Sequence, residues 1–479
     1  MSNQPSLPRS APACLWLLVA MVLVAPPAAH AASWWQVWKW GGSSSTPNTG
    51  KEDTQITGAP TKPSSPFPVK NDLPNQPTFA DLKRQAKEGS APAQVAVGKT
   101  YFTGSKDVDP DPKEAFRWFK KAADQGHPLG QFNVGVCYDL GLGVKPKNPD
   151  MALAWYTKAA DQGVEPAQIN CALTYEAKND FANALKYYRL AADQGHLGAT
   201  RKTGELLLAG RGTPRQPGLA ADYLRRAAAK GDAPSQVMLA DLYQKGDGVP
   251  QDREQMLHWL WLAAANNHPE AQFKIALCHQ AGYGVPEDHS LAVKLYRQAA
   301  EAGYAPAQVA LGNCYTLGEG VSQDHQQALT WFRKAADQNE PAGLFSLGVA
   351  YAAGRGVPID KALAASWFEK AASKGYAKAQ YNLAAFYEDG EGVAQDYLMA
   401  AKWYRAAALQ GNHNAMCALA EMLVDGRGVK ADPGEARLWL DKAAAAGSNE
   451  AKTLLRRLPL PPAANAPAGP TPAVTAPAP

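Results

Sequence analysis

Residues 305–340 read APAQVALGNCYTLGEGVSQDHQQALTWFRKAADQNE, and the spacing inside this stretch decides the fold. Two apolar segments, one opened by Pro306 and one following Asp324, flank the turn Gly318-Glu319-Gly320-Val321. The pair Ala335-Ala336 closes the second segment, and Asn339 follows it. Outward in both directions the same Ala-Ala signature recurs, ending at Gly126, Gly163, Gly195, Gly231, Asn267, Gly303, Asn339, Gly375, Gly411 and Gly447. The steps are 37, 32 and then seven of 36 residues, a register held too long for chance. The Gly-x-Gly-Val turn, or a near equivalent, begins at Gly141, Gly210, Gly246, Gly282, Gly318, Gly354, Gly390 and Gly426. Each unit therefore reads as a helix pair, with helices about 18 Å long at 1.5 Å per residue.

The boundaries carry their own chemistry. Pro92, Pro128, Pro166, Pro234, Pro269, Pro306 and Pro341 open the first helix, where a missing N–H costs nothing. Asp252, Asp288, Asp324, Asp360, Asp396 and Asp432 precede the second helix, where a carboxylate can accept the free N–H groups of the first turn. Glycine after each helix supplies a left-handed cap. His127, His196, His268 and His413 follow one turn type, and each imidazole is expected to meet the C-terminal carbonyls of the preceding helix.

In the first helix one position is always small: Gly98, Gly135, Ala172, Gly204, Ala240, Ala276, Gly312, Gly348, Ala384 and Ala420. The second helix carries Trp118, Trp155, Trp259, Trp331, Trp367, Trp403 and Trp439 at one position. Large groups packed against small ones between neighbouring helices account for both columns, which makes the tryptophans core rather than a ligand site.

This pattern resembles the Sel-one-like repeat (SLR) family, relatives of tetratricopeptide repeats. The residues that carry it are Ala307-Gln308, Leu311-Gly312, Tyr315, Gly318-Glu319-Gly320-Val321, Ala328, Trp331-Phe332 and Lys334-Ala335-Ala336. The resemblance implies an all-α, right-handed α-solenoid of about ten helix-turn-helix repeats of 36 residues, and scaffold or adaptor roles. Residues 79–457 are assigned to it, with 449–457 as a closing cap. The unit at 164–195 departs, with Glu176-Ala177-Lys178-Asn179-Asp180 in place of the glycine turn. The first unit has a longer turn, Gly104 to Asp111, and both are expected to make the N-terminal third irregular.

The chain ends differ from the middle. Ala13 to Val24 is an apolar run after Arg9, followed by Pro26-Pro27 and Ala29-His30-Ala31, so 1–31 reads as a signal peptide. The expected location is across the inner membrane, in the periplasm or cell envelope. Residues 32–78 comprise a tryptophan-rich segment and a Ser/Thr/Pro-rich linker; 458–479 form a Pro/Ala-rich tail expected to be disordered. Trp34, Trp35, Trp38 and Trp40 are candidates for contact with a glycan or membrane surface.

A net charge of +4 from 48 basic and 44 acidic residues excludes a nucleic-acid binder that depends on a dense basic face. Cys137, Cys171, Cys278, Cys314 and Cys417 are odd in number, and Cys278 and Cys314 share a repeat position. Stacked helices about 9–10 Å apart exceed the ~7 Å Cα limit of a disulfide, so free buried thiols are expected. No metal, nucleophile or phosphate-loop motif stands out in context, and neither a cofactor nor an enzymatic activity is expected.

Function is assigned to the first-helix face turned away from the second helix. Its variable positions are Lys99, Asn133, Asn170, Lys202, Glu205, Asp241, Lys274, Asn313, Asn382 and Glu421. In stacked helix pairs such residues line a concave groove suited to protein or peptide partners. The expected function is a non-enzymatic interaction scaffold of the bacterial envelope. The alternative is a peptidoglycan- or glycan-associated protein or a wall-acting hydrolase, as the resemblance implies through relatives linked to such activity.

Overall fold

The computed structural model describes residues 77–458. The leader, Trp34, Trp35, Trp38, Trp40, the linker and the tail lie outside the described residues. Among the described residues there are helices and one isolated antiparallel bridge, Ser105 to Val108, but no strand.

The first-helix layer consists of α2 (Ala91–Thr103), α4 (Pro128–Leu140), α6 (Glu165–Ala177), α8 (Leu197–Ala209), α10 (Ala233–Lys245), α12 (Pro269–Ala281), α14 (Ala305–Leu317), α16 (Pro341–Ala353), α18 (Ala377–Asp389) and α20 (His413–Asp425). Their partners are α3 (Pro112–Asp124), α5 (Pro149–Asp161), α7 (Phe181–Asp193), α9 (Pro217–Ala228), α11 (Arg253–Ala265), α13 (His289–Glu301), α15 (His325–Asp337), α17 (Lys361–Ser373), α19 (Tyr397–Leu409) and α21 (Pro433–Ala445). Two shorter helices, α1 (Phe79–Lys87) and α22 (Asn449–Arg457), pack on the two ends of the stack. Consecutive helices pack on one another throughout, which makes the architecture an all-α solenoid.

Local chemistry sets these boundaries. The side chains of Asp252, Asp288, Asp360, Asp396 and Asp432 each accept a backbone N–H from the third residue of the following helix, and Asp324 accepts two. The histidines behave differently from expectation. The Nδ1 atoms of His127 and His196 accept from the N–H of Gly130 and Ala199, so they cap the helix that follows rather than the one before. Their extended backbone makes them N-caps, and orphan N–H groups lie closest to them. His268 makes no cap bond, and His413 is already the first residue of α20.

The small-residue column marks a close helix approach, though its partner is not the tryptophan. A Cβ at Gly312 would lie 2.5 Å from the ring of Phe332, one at Gly348 2.6 Å from Phe368, and one at Gly98 2.6 Å from Phe119. The residue after the tryptophan thus fills the space, and the indole lies to one side. Lysines three residues on cover the indole faces: Lys334 over Trp331 and Lys370 over Trp367, both at 4.0 Å, and Lys158 over Trp155 at 4.2 Å.

The shortened unit keeps its helices. Asn179, at φ 59°, makes the left-handed turn that glycine makes elsewhere, and Asp180 caps α7 through the N–H of Asn183. One buried cluster runs from Phe132 through Tyr188 to Ala220, so the expected irregularity is confined to the connection.

Candidate functional site

The two layers differ in enclosure. None of the 13 residues of α14 is exposed, whereas six of the 13 in α15 are. The even-numbered helices therefore form the more enclosed layer, and their exposed side is termed the inner face.

Buried glutamines hold neighbouring repeats together at one end of this layer. Gln308 is 4 % exposed; its Nε2 donates to the Ala300 carbonyl at 3.1 Å, and its Oε1 accepts from Gln338 Nε2 at 2.9 Å. The first bond crosses to the preceding repeat and the second returns to its own. Gln380 repeats the arrangement with Ala372 and Gln410, as does Gln94 with Ala86 and Gln125. Each clamp adds a second bond to a last-turn carbonyl that also accepts the N–H of the following glycine: Gly303 on Ala300, Gly375 on Ala372 and Gly89 on Ala86. The motif Ala307-Gln308 was visible in sequence, but its partners depend on which helix ends meet. In the repeat beginning at Ala233 the clamp is half made: Gln236 donates to Ala228, while its Oε1, facing the shorter Asn266 position, has no partner.

The sequence-selected groove residues divide into three groups. Asn133 departs from expectation, being 5 % exposed with its Nδ2 donating to the Leu129 carbonyl at 2.7 Å. The central residues are consumed by ion pairs. Lys202 Nζ lies 3.4 Å from Glu176 and 3.2 Å from Glu205, and Glu205 also meets Arg201 at 3.3 Å. Lys274 Nζ lies 2.7 Å from Asp241 and 2.9 Å from Glu270. Burial opposes the charge on Lys274, but the two carboxylates outweigh it and raise its pKa above the ordinary lysine value. The remaining residues stay half-buried or exposed on the inner face: Lys99, Asn170, Asn313, Asn382 and Glu421.

Asn313 lies in a cavity of about 320 Å³ between α14 and α16, which sequence reading missed. Val309, Phe332, Phe345 and Val349 line its middle, with Arg355, His325 and Lys378 towards its ends. A second cavity of about 270 Å³ beside α5 and α6 includes Asp139, Lys147 and Lys178; Lys147 pairs with Asp139 and Lys178 with Asp150.

The five described cysteines are buried and free. Burial pushes Cys137, Cys171 and Cys314 up to about 12 and Cys278 and Cys417 to about 11. They are protonated thiols that pack as small apolar groups rather than thiolate nucleophiles. Among the described residues no cluster of three His, Cys, Asp or Glu side chains could hold a metal ion, and no helix is long and apolar enough to cross a membrane.

Among solved structures, a protective antigen of uropathogenic Escherichia coli with an SLR fold is 31% identical, with a TM-score of 0.50, covering 80% of this chain and 90% of that one. A Sel1 repeat protein from Oxalobacter formigenes is 29% identical, with a TM-score of 0.47, over 73% of this chain and 94% of its own. Cysteine-rich protein B of Helicobacter pylori is 26% identical, with a TM-score of 0.24, over 28% and 96%. No curated protein matches the chain. The Sel1 repeat model matches ten times in succession, at 91–127, 128–164, 167–196, 198–232, 233–268, 269–304, 305–340, 341–376, 377–412 and 413–448. By these ten matches, and by the helix pairs that they coincide with, the chain belongs to the Sel1 repeat family.

Proposed function

We propose that this chain is a non-enzymatic interaction scaffold, exported to the bacterial cell envelope, that binds protein or peptide partners along its inner face. Sel1 and tetratricopeptide-like repeat proteins generally serve as protein-interaction scaffolds. The observation that carries the reading is the inner face from α14 to α18. There Asn313 and Asn382 sit half-buried without a side-chain hydrogen bond to another described residue, and Asn313 lines a largely apolar cavity. Amides held in this way can bond to the backbone of a bound chain, and apolar walls between them can take its side chains.

The test places a photo-crosslinking residue at Asn313 on the inner face, or at the exposed Thr330 on α15, in the full chain produced in its own cells. Crosslinked species are then identified by mass spectrometry. A discrete protein adduct from position 313 and none from 330 is expected. The same adducts from both positions would contradict inner-face binding. Sequencing of the mature N-terminus tests export, with a start near Ala32 expected.

A further inference from the structure

The cavity between α14 and α16 has a chemistry of its own. It is a trough that runs along α16, from Tyr376 and Lys378 at the start of α18 to Arg355 in the turn after α16. Between these ends lie Val309, Phe345 and Val349, and its floor reaches the core at Leu329 and Phe332, which are 2 % and 5 % exposed. Every ionisable lining residue that can carry charge near neutrality is basic or histidine: Arg355, Lys378 and His325.

These groups are unspent. Among the described residues neither Arg355 nor Lys378 forms an ion pair, in contrast to Lys202 and Lys274 in the centre of the molecule. His325 Nδ1 is buried and has no hydrogen-bond partner. The adjacent Asp324 caps α15, its Oδ1 accepting the N–H groups of Gln326 and Gln327, and it is not a lining residue. Glu340, whose charge is felt by Tyr376, is not a lining residue, and burial raises its pKa above the ordinary carboxylate value.

We propose that this trough is a peptide subsite for an extended segment with an apolar centre and an acidic side chain at each end. This rests on the inner-face reading above and names the chemistry of its partner. The 13 residues of α16 span about 20 Å at 1.5 Å per residue, and an extended chain at about 3.3 Å per residue covers that distance in about six residues. Arg355 suits a carboxylate at one end through its forked donors, with His325 beside it, and Lys378 suits one at the other as a point charge. Phe345 and Val349 take the apolar side chains between.

The test selects random dodecapeptides displayed on phage against the full chain, then measures synthetic copies by fluorescence anisotropy. Three variants are compared: Arg355→Glu, Lys378→Glu and Ser346→Phe. Met238 and Lys274 occupy the position equivalent to Ser346, so the fold accommodates a large side chain there. Retained helical circular dichroism checks each variant. The expected result is acidic peptides with apolar centres, whose binding weakens at least tenfold in each variant and falls as salt rises. Neutral or basic peptides, or peptides indifferent to all three variants, would overturn the subsite; dependence on Lys202 or Asp241 instead, read from Lys202→Glu and Asp241→Lys, would leave inner-face binding standing. Failure to select any peptide would count against both readings.

Discussion

The repeats spanning 198–304 and those spanning 305–412 share one 36-residue register, yet they hold their neighbours by different means. In the first block Thr200 stands at the clamp position of one repeat, and the clamp of Gln236 is half made; charges link neighbouring first helices instead, Arg201 to Asp232 at the N-cap of α10 at 2.8 Å and Lys274 to Asp241 at 2.7 Å. In the second block Gln308 and Gln380 make full clamps, and the inner face carries Asn313, Ser346 and Asn382. The two blocks show that inner-face polarity can be spent on stability or left for a ligand. Where buried amides do the holding, the face is free.

The packing columns mix two pairings in both blocks: Ala276 with Tyr296, whose hydroxyl donates to Gln280 at 2.6 Å, and Ala384 with Tyr404, against Gly204 with Leu224 and Gly312 with Phe332. Gly312→Val is therefore expected to have the largest effect, lowering stability by about 3 kcal/mol through overpacking against Phe332. Ala276→Gly removes a methyl without a clash and is expected to cost about 1 kcal/mol through helix propensity. Equal shifts of the urea midpoint for both would erase the distinction between the pairings.

The clamps give the next largest contrast. Gln308→Leu loses two hydrogen bonds at once, one to the Ala300 carbonyl and one from the Gln338 amide, an expected loss of about 1–3 kcal/mol. Gln236→Leu also loses one bond but removes an orphan Oε1, so its expected loss is under about 1 kcal/mol. Leu344 and Met416 already occupy the equivalent position, which indicates that the backbone accepts an apolar residue there. Urea unfolding of the two variants side by side measures the difference.

Charge gives the smallest effect. The folded pKa of Lys274 is raised above its ordinary 10.5, burial being outweighed by Asp241 and Glu270. Its contribution is thus fully present below the unfolded lysine pKa and is lost as pH rises through the folded one. Lys274→Met should cost under about 1 kcal/mol at neutral pH, because the pair is partly solvated. The difference from wild type should shrink above about pH 10.5. A difference independent of pH through that range would show that the ammonium's charge does not contribute.

Much of the fold was legible because it rests on local chemistry repeated many times. Asp324 before α15, Pro306 at the start of α14 and Gly318 after it each encode a boundary through their own backbone needs. What depends on relations between repeats was harder to read. Trp331 and Phe332 are both buried, and the alternation of large and small residues does not say which ring meets Gly312. The histidines sit between two helices, and only the extended backbone of His127 assigns it to the second. Asn133 has the groove position by count, but it bonds back to Leu129 and is covered. The trough itself is a space left between α14 and α16, and no residue spells it.

Hydrogen exchange of the full chain, with and without a saturating peptide selected against it, tests the central contrast most directly. Slowed exchange in α14, α16 and α18, with α8, α10 and α12 unchanged, is the predicted result. Slowing confined to α8, α10 and α12, or to the outer helices α15, α17 and α19, would contradict the account.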